Sequence, residues 1–420
     1  MEKPKVFESA ESFLFFTLAM LFLLLLRLGF EYKDYRSFVS KPFYFTFASV
    51  ESAYKKTKAN HSYQVLKLRS DEGLHLYTTT HRKENLTDAR LRLQLFPNKN
   101  ISFGDYLGTF YVKSRIKRVM PEEVSIKKSL MEKVASQHSD SRLANFYGAI
   151  FFSTPLDPFL RQKVSQFGIS HLIALSGFHL GILWGVVYFL LYTLYRPLQQ
   201  RWFPYRFALL DVGTVTMLLL GAYVWFTGAP PSLVRAYAML IFGWGMLILG
   251  VEILSFEFLA GVLLLLPVLF PSLLVSLGFW FSVAGVFFIY LLLHYTKGWD
   301  GRIITIAVIP VGIFLLMLPI VHMIFPVTAR IQLFSPLLSL LFIPFYPAAI
   351  LLHMIGTGEL FDPALLWLFE TDTTVTEHHL PWWGGLLYLL LSLAAIRYRY
   401  AFYLLFGASL GYAMHLYVAV

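Results

Sequence analysis

From residue 172 to residue 419 the chain repeats one pattern: an apolar stretch of 14 to 24 residues, a short polar break, then another apolar stretch. The stretches fall at 172–195, 207–226, 233–250, 256–270, 273–295, 303–325, 333–354, 383–396 and 401–419. A hydrocarbon core about 30 Å thick is crossed by about 20 apolar residues in a helix. Lipid offers backbone groups no hydrogen-bond partners, so such segments must satisfy their own and become helical. With a further apolar run at Phe13–Leu26, about ten candidate membrane segments emerge. Pro267, Pro271, Pro336, Pro344 and Pro347 interrupt them, which predicts that some are re-entrant. Only 14% of the residues are charged, against about 25% in a soluble chain. The chain reads as a polytopic α-helical membrane protein. No small-residue cleavage site follows the first run, so residues 1–30 are expected to stay as an uncleaved anchor helix. Cysteine is absent, which excludes a disulfide framework, a thiolate metal site and a cysteine nucleophile.

A different composition separates the anchor from the remaining segments. Residues 31–170 hold 23 Lys and Arg against 13 Asp and Glu, while the rest of the chain is balanced at 12 and 12, so the net charge of +10 resides there. Its partner is expected to be anionic: nucleic-acid phosphate or an acidic lipid surface. Within residues 31–120, the stretches 43–50, 62–69, 73–79, 91–96 and 105–118 alternate or are rich in β-branched and aromatic residues, which predicts strands. About five strands in that length suit an inserted small all-β domain, OB-like in class. Lys55, Lys56 and Lys58 make one basic cluster, and Lys113, Arg115, Lys117 and Arg118 another. Tyr106, Phe110 and Tyr111 beside the second are candidates for stacking on bases. Residues 121–170 read as amphipathic linker helices near the membrane surface, with Leu130, Val134, Leu143, Phe146, Tyr147 and Ile150 at helical spacing. The loop carrying Arg196, Arg201 and Arg206 is expected in the cytoplasm, which places residues 31–170 outside it.

Three stretches carry polar groups or glycines where a lipid-facing helix would not. In HLIALSGFHLG, Ser176 and His179 would share a helix face, with His171 close to the same stripe. GAPPSLVRAYAML brings Ser232 and Arg235 into the start of a span; a guanidinium there costs at least about 2.5 kcal/mol. It should therefore face water, pair with an acid such as Asp211, Glu252 or Glu257, or snorkel to the interface. PSLLVSLGFWFSVAG contains Gly278 and Ser282, small enough for close helix approach.

In this order, behind a basic β domain, the three stretches resemble the ComEC family of bacterial competence proteins. The match falls on His171, Leu172, Ala174, Ser176, Gly177, His179 and Gly181, then on Pro231, Ser232, Val234, Arg235, Ala236 and Met239, and more weakly on Gly278, Phe279 and Ser282. The resemblance implies that residues 171–420 form a competence-type helical channel in the bacterial cytoplasmic (inner) membrane. Such a channel imports single-stranded DNA during natural transformation. The implied partners are a periplasmic DNA receptor, a cytoplasmic helicase-like ATPase and single-strand-binding proteins, besides membrane lipid. Many members add a metallo-β-lactamase-like domain, whose metal site needs an HxHxDH-type cluster. Here the late histidine pair is His378-His379 alone, so no nuclease is expected; Trp280 departs from the third motif where the family often has a polar residue, which weighs against that stretch lining a pore. The phosphate-cradling GxxxxGK[ST] loop is also missing. No catalytic residue, metal or cofactor is assigned. Two other readings compete: a secondary transporter for a smaller anion, with Arg235 and the histidines at a midplane site, and an intramembrane serine hydrolase built on Ser176 and His179.

Overall fold

The computed structural model describes residues 7, 9–58, 61–82, 84, 86, 89–120, 126–250 and 255–418. The chain opens with helix α1 (Ala10–Ser40), followed by strands β1 (Tyr44–Lys58), β2 (His61–Ser70), β3 (His75–Thr80) and β4 (Arg90–Phe96). A short helix α2 (Phe103–Leu107) leads into β5 (Thr109–Tyr111) and β6 (Lys113–Met120). Helices α3 (Ile126–Ala135), α4 (Ser141–Phe152), α5 (Pro158–Gln166) and α6 (Ser170–Ile173) come next. Longer helices follow: α7 (Gly177–Trp202), α8 (Ala208–Phe226), α9 (Pro231–Ile248), α10 (Phe256–Leu269) and α11 (Leu277–Tyr295). The remainder is α12 (Gly301–Ile303), α13 (Ile309–His322), β7 (Val327–Ala329), α14 (Ser335–Ile355), α15 (Asp362–Glu370), β8 (Val375–Glu377), α16 (Trp382–Ala394) and α17 (Arg399–Val418).

Two compact units form. One takes Val6–Ser125 with Glu257–Trp280, and the other takes Ile126–Phe256 with Phe281–Val420. The anchor helix and α10 therefore belong with the β domain.

In the first unit the strands run in the order β5-β3-β2-β1-β4-β6. Every pairing is antiparallel except β3 with β5. Only Val112 separates β5 from β6, so one continuous segment pairs with β3 at its start and with β4 thereafter, and the sheet returns on itself. A hydrogen bond between the Thr78 and Ser114 hydroxyls, 2.7 Å long, ties β3 to β6 across this closure. Alternation decides which side chains fill the interior. Leu91, Leu93 and Leu95 point inward from β4 to meet Leu66, Leu68, Leu76 and Val112, while Arg90, Arg92, Gln94 and Phe96 point outward. Phe38, near the end of α1, enters the same core.

The stretch read as one strand over 105–118 is in fact a helical turn and two strands. Ser102 Oγ accepts from the Asp105 amide at 3.1 Å, and the Asp105 carboxylate accepts from the Ser102 amide at 3.1 Å and its hydroxyl at 2.6 Å. This capping box starts α2 and carries Tyr106 onto a helix. β1 also runs past residue 50: beyond Ser52 it pairs with β2 alone along one edge, as an arm tipped by Lys55 and Lys56.

In the second unit, residues 126–170 differ from the expected surface linker, and residues 121–125 of that linker lie outside the described residues. Leu143, Phe146, Tyr147, Ile150, Phe151 and Phe152 of α4 are buried in the unit's main core with Leu160 and Val164 of α5 and with Phe342, Tyr346 and Phe369. Among the described residues, seven helices are long and apolar enough to cross a membrane: Ala10–Ser40, Gly177–Trp202, Ala208–Phe226, Leu277–Tyr295, Gly301–His322, Arg330–Ile355 and Arg399–Val418. Ser232–Ile248, Phe256–Leu269 and Trp382–Ala394 are shorter apolar helices. The prolines break less than expected, because α14 continues through Pro344 and Pro347.

Candidate nucleic-acid interface and membrane motifs

The outward face of the closed sheet is basic and aromatic because register aligns what sequence separates. Phe47 stands opposite Arg92, which stands opposite Arg118; Phe45 stands opposite Gln94, which faces Arg115; Phe96 faces Lys113. A register shift opposite Arg92 and Leu93 leaves Lys117 as the extra residue of a bulge, where the chain twists and both Lys117 and Arg118 stay exposed. Arg90 and Arg92 each lie 5.8 Å from the Phe47 ring centroid, holding guanidinium groups over an aromatic face. Arg90 also pairs with Asp71 at 2.7 Å.

Of the residues expected to bind an anion, Lys113, Arg115, Lys117 and Arg118 occupy this face, and Tyr111 continues it past inward-facing Val112. Tyr106 and Phe110 do not. Phe110 is 3% exposed in the barrel core, and Tyr106 packs against Tyr35, Phe38 and Phe110. Lys55 and Lys56 sit apart on the hairpin arm, and the Lys58 side chain lies outside the described residues. Arg90, Arg92, Phe45 and Phe47 escaped the sequence reading, which looked for consecutive lysines and arginines; the alternation in RLRLQLF was the available signal. Such a face can neutralise phosphates while its rings stack on bases.

Between the histidines of the first membrane motif the helix is broken. α6 ends at Ile173, Ala174 is extended, and Ser176 caps α7 by accepting from the Phe178 amide at 3.3 Å. His171 and His179 therefore do not share a helix stripe, yet both face α14. His171 Nε2 lies 3.2 Å from Ser339 Oγ, and the buried His179 ring packs edge-on against Phe342 and Tyr346. Ser176 Oγ is 3.4 Å from His179 Nδ1.

The second motif is tied to the first. Ser232 Oγ donates to the Leu175 carbonyl at 2.8 Å, and α7 passes α9 at Gly177, where a Cβ would make an ordinary contact with Ala236 Cβ at 3.4 Å. Arg235, half-buried three residues further along α9, has no ion-pair partner among the described residues. Asp211 instead accepts from Tyr195 at 2.6 Å and Arg206 at 2.8 Å. Glu252 lies outside the described residues, and Glu257 belongs to the other unit. Gly278 and Ser282 stand one turn apart on α11; between them Phe279 is buried and Trp280 points outward, its Nε1 donating to Leu274.

A polar cluster that the sequence did not reveal links α4's approach to α14 and α15. His138 Nδ1 lies 2.9 and 3.0 Å from the two Asp362 oxygens, and its Nε2 lies 2.9 Å from His353 Nε2. Gln137 donates to the His353 carbonyl at 3.1 Å and accepts from the Gly358 amide at 2.9 Å. The His138 ring stacks on Tyr147 at 4.6 Å. Among the described residues, no three His, Asp or Glu side chains converge in a manner that would hold a metal ion.

Residues 153–411, which span all three motifs, match the family model described as Competence protein. No curated protein and no solved structure matches the chain.

Proposed function

Because the chain belongs to the Competence protein family, which gives this membrane protein a role in competence, we propose that it is the channel through which single-stranded DNA reaches the cytoplasm during natural transformation. The observation that carries this reading is the row Phe47, Arg92, Arg118 with Arg115 and Lys113 beside it. A strand of phosphates is drawn to such a face whatever its sequence, and the aromatic rings give its bases a place to stack. The ring order of the strands, with β3 parallel to β5 and β1 flanked by β2 and β4, supports an OB-like assignment for the domain. In this reading the domain lies outside the cytoplasm of an inner-membrane protein, receives a strand from a DNA receptor, and passes it to the helical unit. There Arg235 and the polar groups of the first two motifs replace part of the water the phosphates lose. No covalent step belongs to the proposal. A helicase-like ATPase and single-strand-binding proteins on the far side would draw the strand inward.

The test is arrival of labelled DNA in the cytoplasm, measured with external DNA capture and protein abundance in the same cells. Replacing Arg92, Arg115 and Arg118 together by Glu should stop arrival while capture and abundance persist. Arrival at the normal rate would remove the face from the pathway.

A further inference from the structure

Within the unit that holds the β domain, a cavity of about 630 Å³ opens where two apolar helices end, a volume typical of small-molecule sites. α1 meets α10 where the Phe16 ring approaches Gly261. Both continue from that contact toward the cavity, α1 reaching it at Arg27 and α10 at Leu269 and Phe270. α1 is apolar and exposed through Leu25 and Leu26, just before it reaches the cavity. Past Leu26, the stripe of α1 that lines the cavity turns polar with Arg27, Glu31 and Asp34, and Lys41 follows just past the helix end. A cavity at the polar end of an exposed apolar helix such as α1 lies at the level of phospholipid headgroups.

Its lining carries charges of both signs. Arg27 and Glu31 neutralise each other at 2.8 Å. Lys41 lies 5.0 Å from the Tyr44 ring centroid and, among the described residues, has no carboxylate partner. Asp34 likewise has no cationic partner among them, and Glu72 is held in place by the Thr46 hydroxyl. Tyr106 lines the same space, and ionisation of its hydroxyl is pushed up to about 12 by burial and by the charges of Glu31, Asp34, Tyr44 and Glu72. One free cation and two carboxylates thus share a cavity with an apolar lip.

We propose that this cavity binds the headgroup of a phospholipid with a primary ammonium, phosphatidylethanolamine in chemical class. The phosphate meets Lys41, the ammonium donates to Asp34 and Glu72, and the acyl chains leave past Leu269 and Phe270. A quaternary ammonium cannot donate these bonds, and a glycerol headgroup brings no positive charge to the carboxylates. Lipid bound here would seat the β domain at a fixed height on the bilayer.

The test uses the full chain purified in mild detergent and offered phosphatidylethanolamine, phosphatidylcholine and phosphatidylglycerol at equal mole fractions, with retained lipid read by native mass spectrometry. Phosphatidylethanolamine should be retained roughly tenfold over either competitor, the value of one charge-assisted hydrogen bond. Asp34→Asn with Glu72→Gln should bring it down to the phosphatidylcholine level, and Lys41→Ala should lower all three. Equal retention of the three lipids by the unaltered protein overturns the proposal without recourse to any variant. Displacement by soluble glycerophosphoethanolamine at matching concentration overturns the lipid assignment in favour of a free headgroup ligand.

Discussion

His138 and His353, far apart in sequence, meet with their Nε2 atoms 2.9 Å apart. The His353 Nδ1 lies 2.7 Å from the Ala349 carbonyl, which can only accept, so that nitrogen carries a proton. The contact between the two Nε2 atoms then needs one proton between them, and Asp362 holds the opposite edge of the His138 ring. The His138 side chain is fully buried and that of Asp362 12% exposed. This cluster fastens the segment before α4 to the end of α14. Asp362→Ala should therefore cost about 1–3 kcal/mol by leaving a buried imidazole nitrogen unpaired. Asp362→Asn, which can still accept or donate there, should cost less. Thermal unfolding of the purified protein separates the two; equal losses would show that the site needs the carboxylate's charge and not merely a hydrogen-bonding group of that size.

α8 and α9 pack through glycine. A Cβ on Gly213 would enter the Trp244 ring, and one on Gly221 would strike Tyr237, whose hydroxyl donates to the Met217 carbonyl at 2.9 Å. Each Gly→Ala substitution should destabilise by about 1–3 kcal/mol through overpacking. Gly181→Ala, with open space around it, should be neutral by the same thermal assay.

Glu51 makes the β domain sensitive to acid. Burial would raise its carboxyl, but hydrogen bonds and charge from His75 and Lys67 outweigh that and bring it to about 2 from the usual 4.5. A depressed folded value stabilises above the unfolded value and is lost as pH falls from about 4.5 toward 2. The contribution is on the order of 2 kcal/mol. Between pH 6 and pH 3 the unaltered protein should lose more thermal stability than Glu51→Gln, and parallel losses would exclude this carboxylate as the cause.

Binding of single-stranded DNA to the purified protein should weaken steeply with salt. Arg92→Glu, Arg115→Glu and Arg118→Glu together should flatten the slope of log K against log salt by about 2, at about 0.7 per lost phosphate contact. Phe47→Ala should weaken binding and leave that slope in place, since stacking releases no counterions. A slope unchanged by the three reversals would move the interface elsewhere, the hairpin arm with Lys55 and Lys56 being the next candidate.

Arg235 separates passage from packing. Arg235→Ala should abolish arrival of DNA in the cytoplasm at normal protein abundance. Ser232→Ala, which removes the bond to the Leu175 carbonyl, should lower thermal stability by about 1 kcal/mol. Unimpaired arrival in Arg235→Ala would place that guanidinium outside the path.

Membrane class, the β insertion and the three motifs were legible in the residues because each rests on local regularity: runs long enough for a bilayer, alternation with period two, and polar groups set among apolar ones. The capping box at Ser102 and Asp105 was equally local, but the strand-like residues around it masked the helix. What tertiary structure decided is which distant residues become neighbours. β register put Phe47 beside Arg92 and Arg118, burial took Phe110 out of any stacking surface, and α14 gathered His171 and His179 from two separate helices. His138, His353 and Asp362 carry no shared sequence signal, because a hydrogen bond depends on where folded elements place its two atoms and leaves no period in the chain between them.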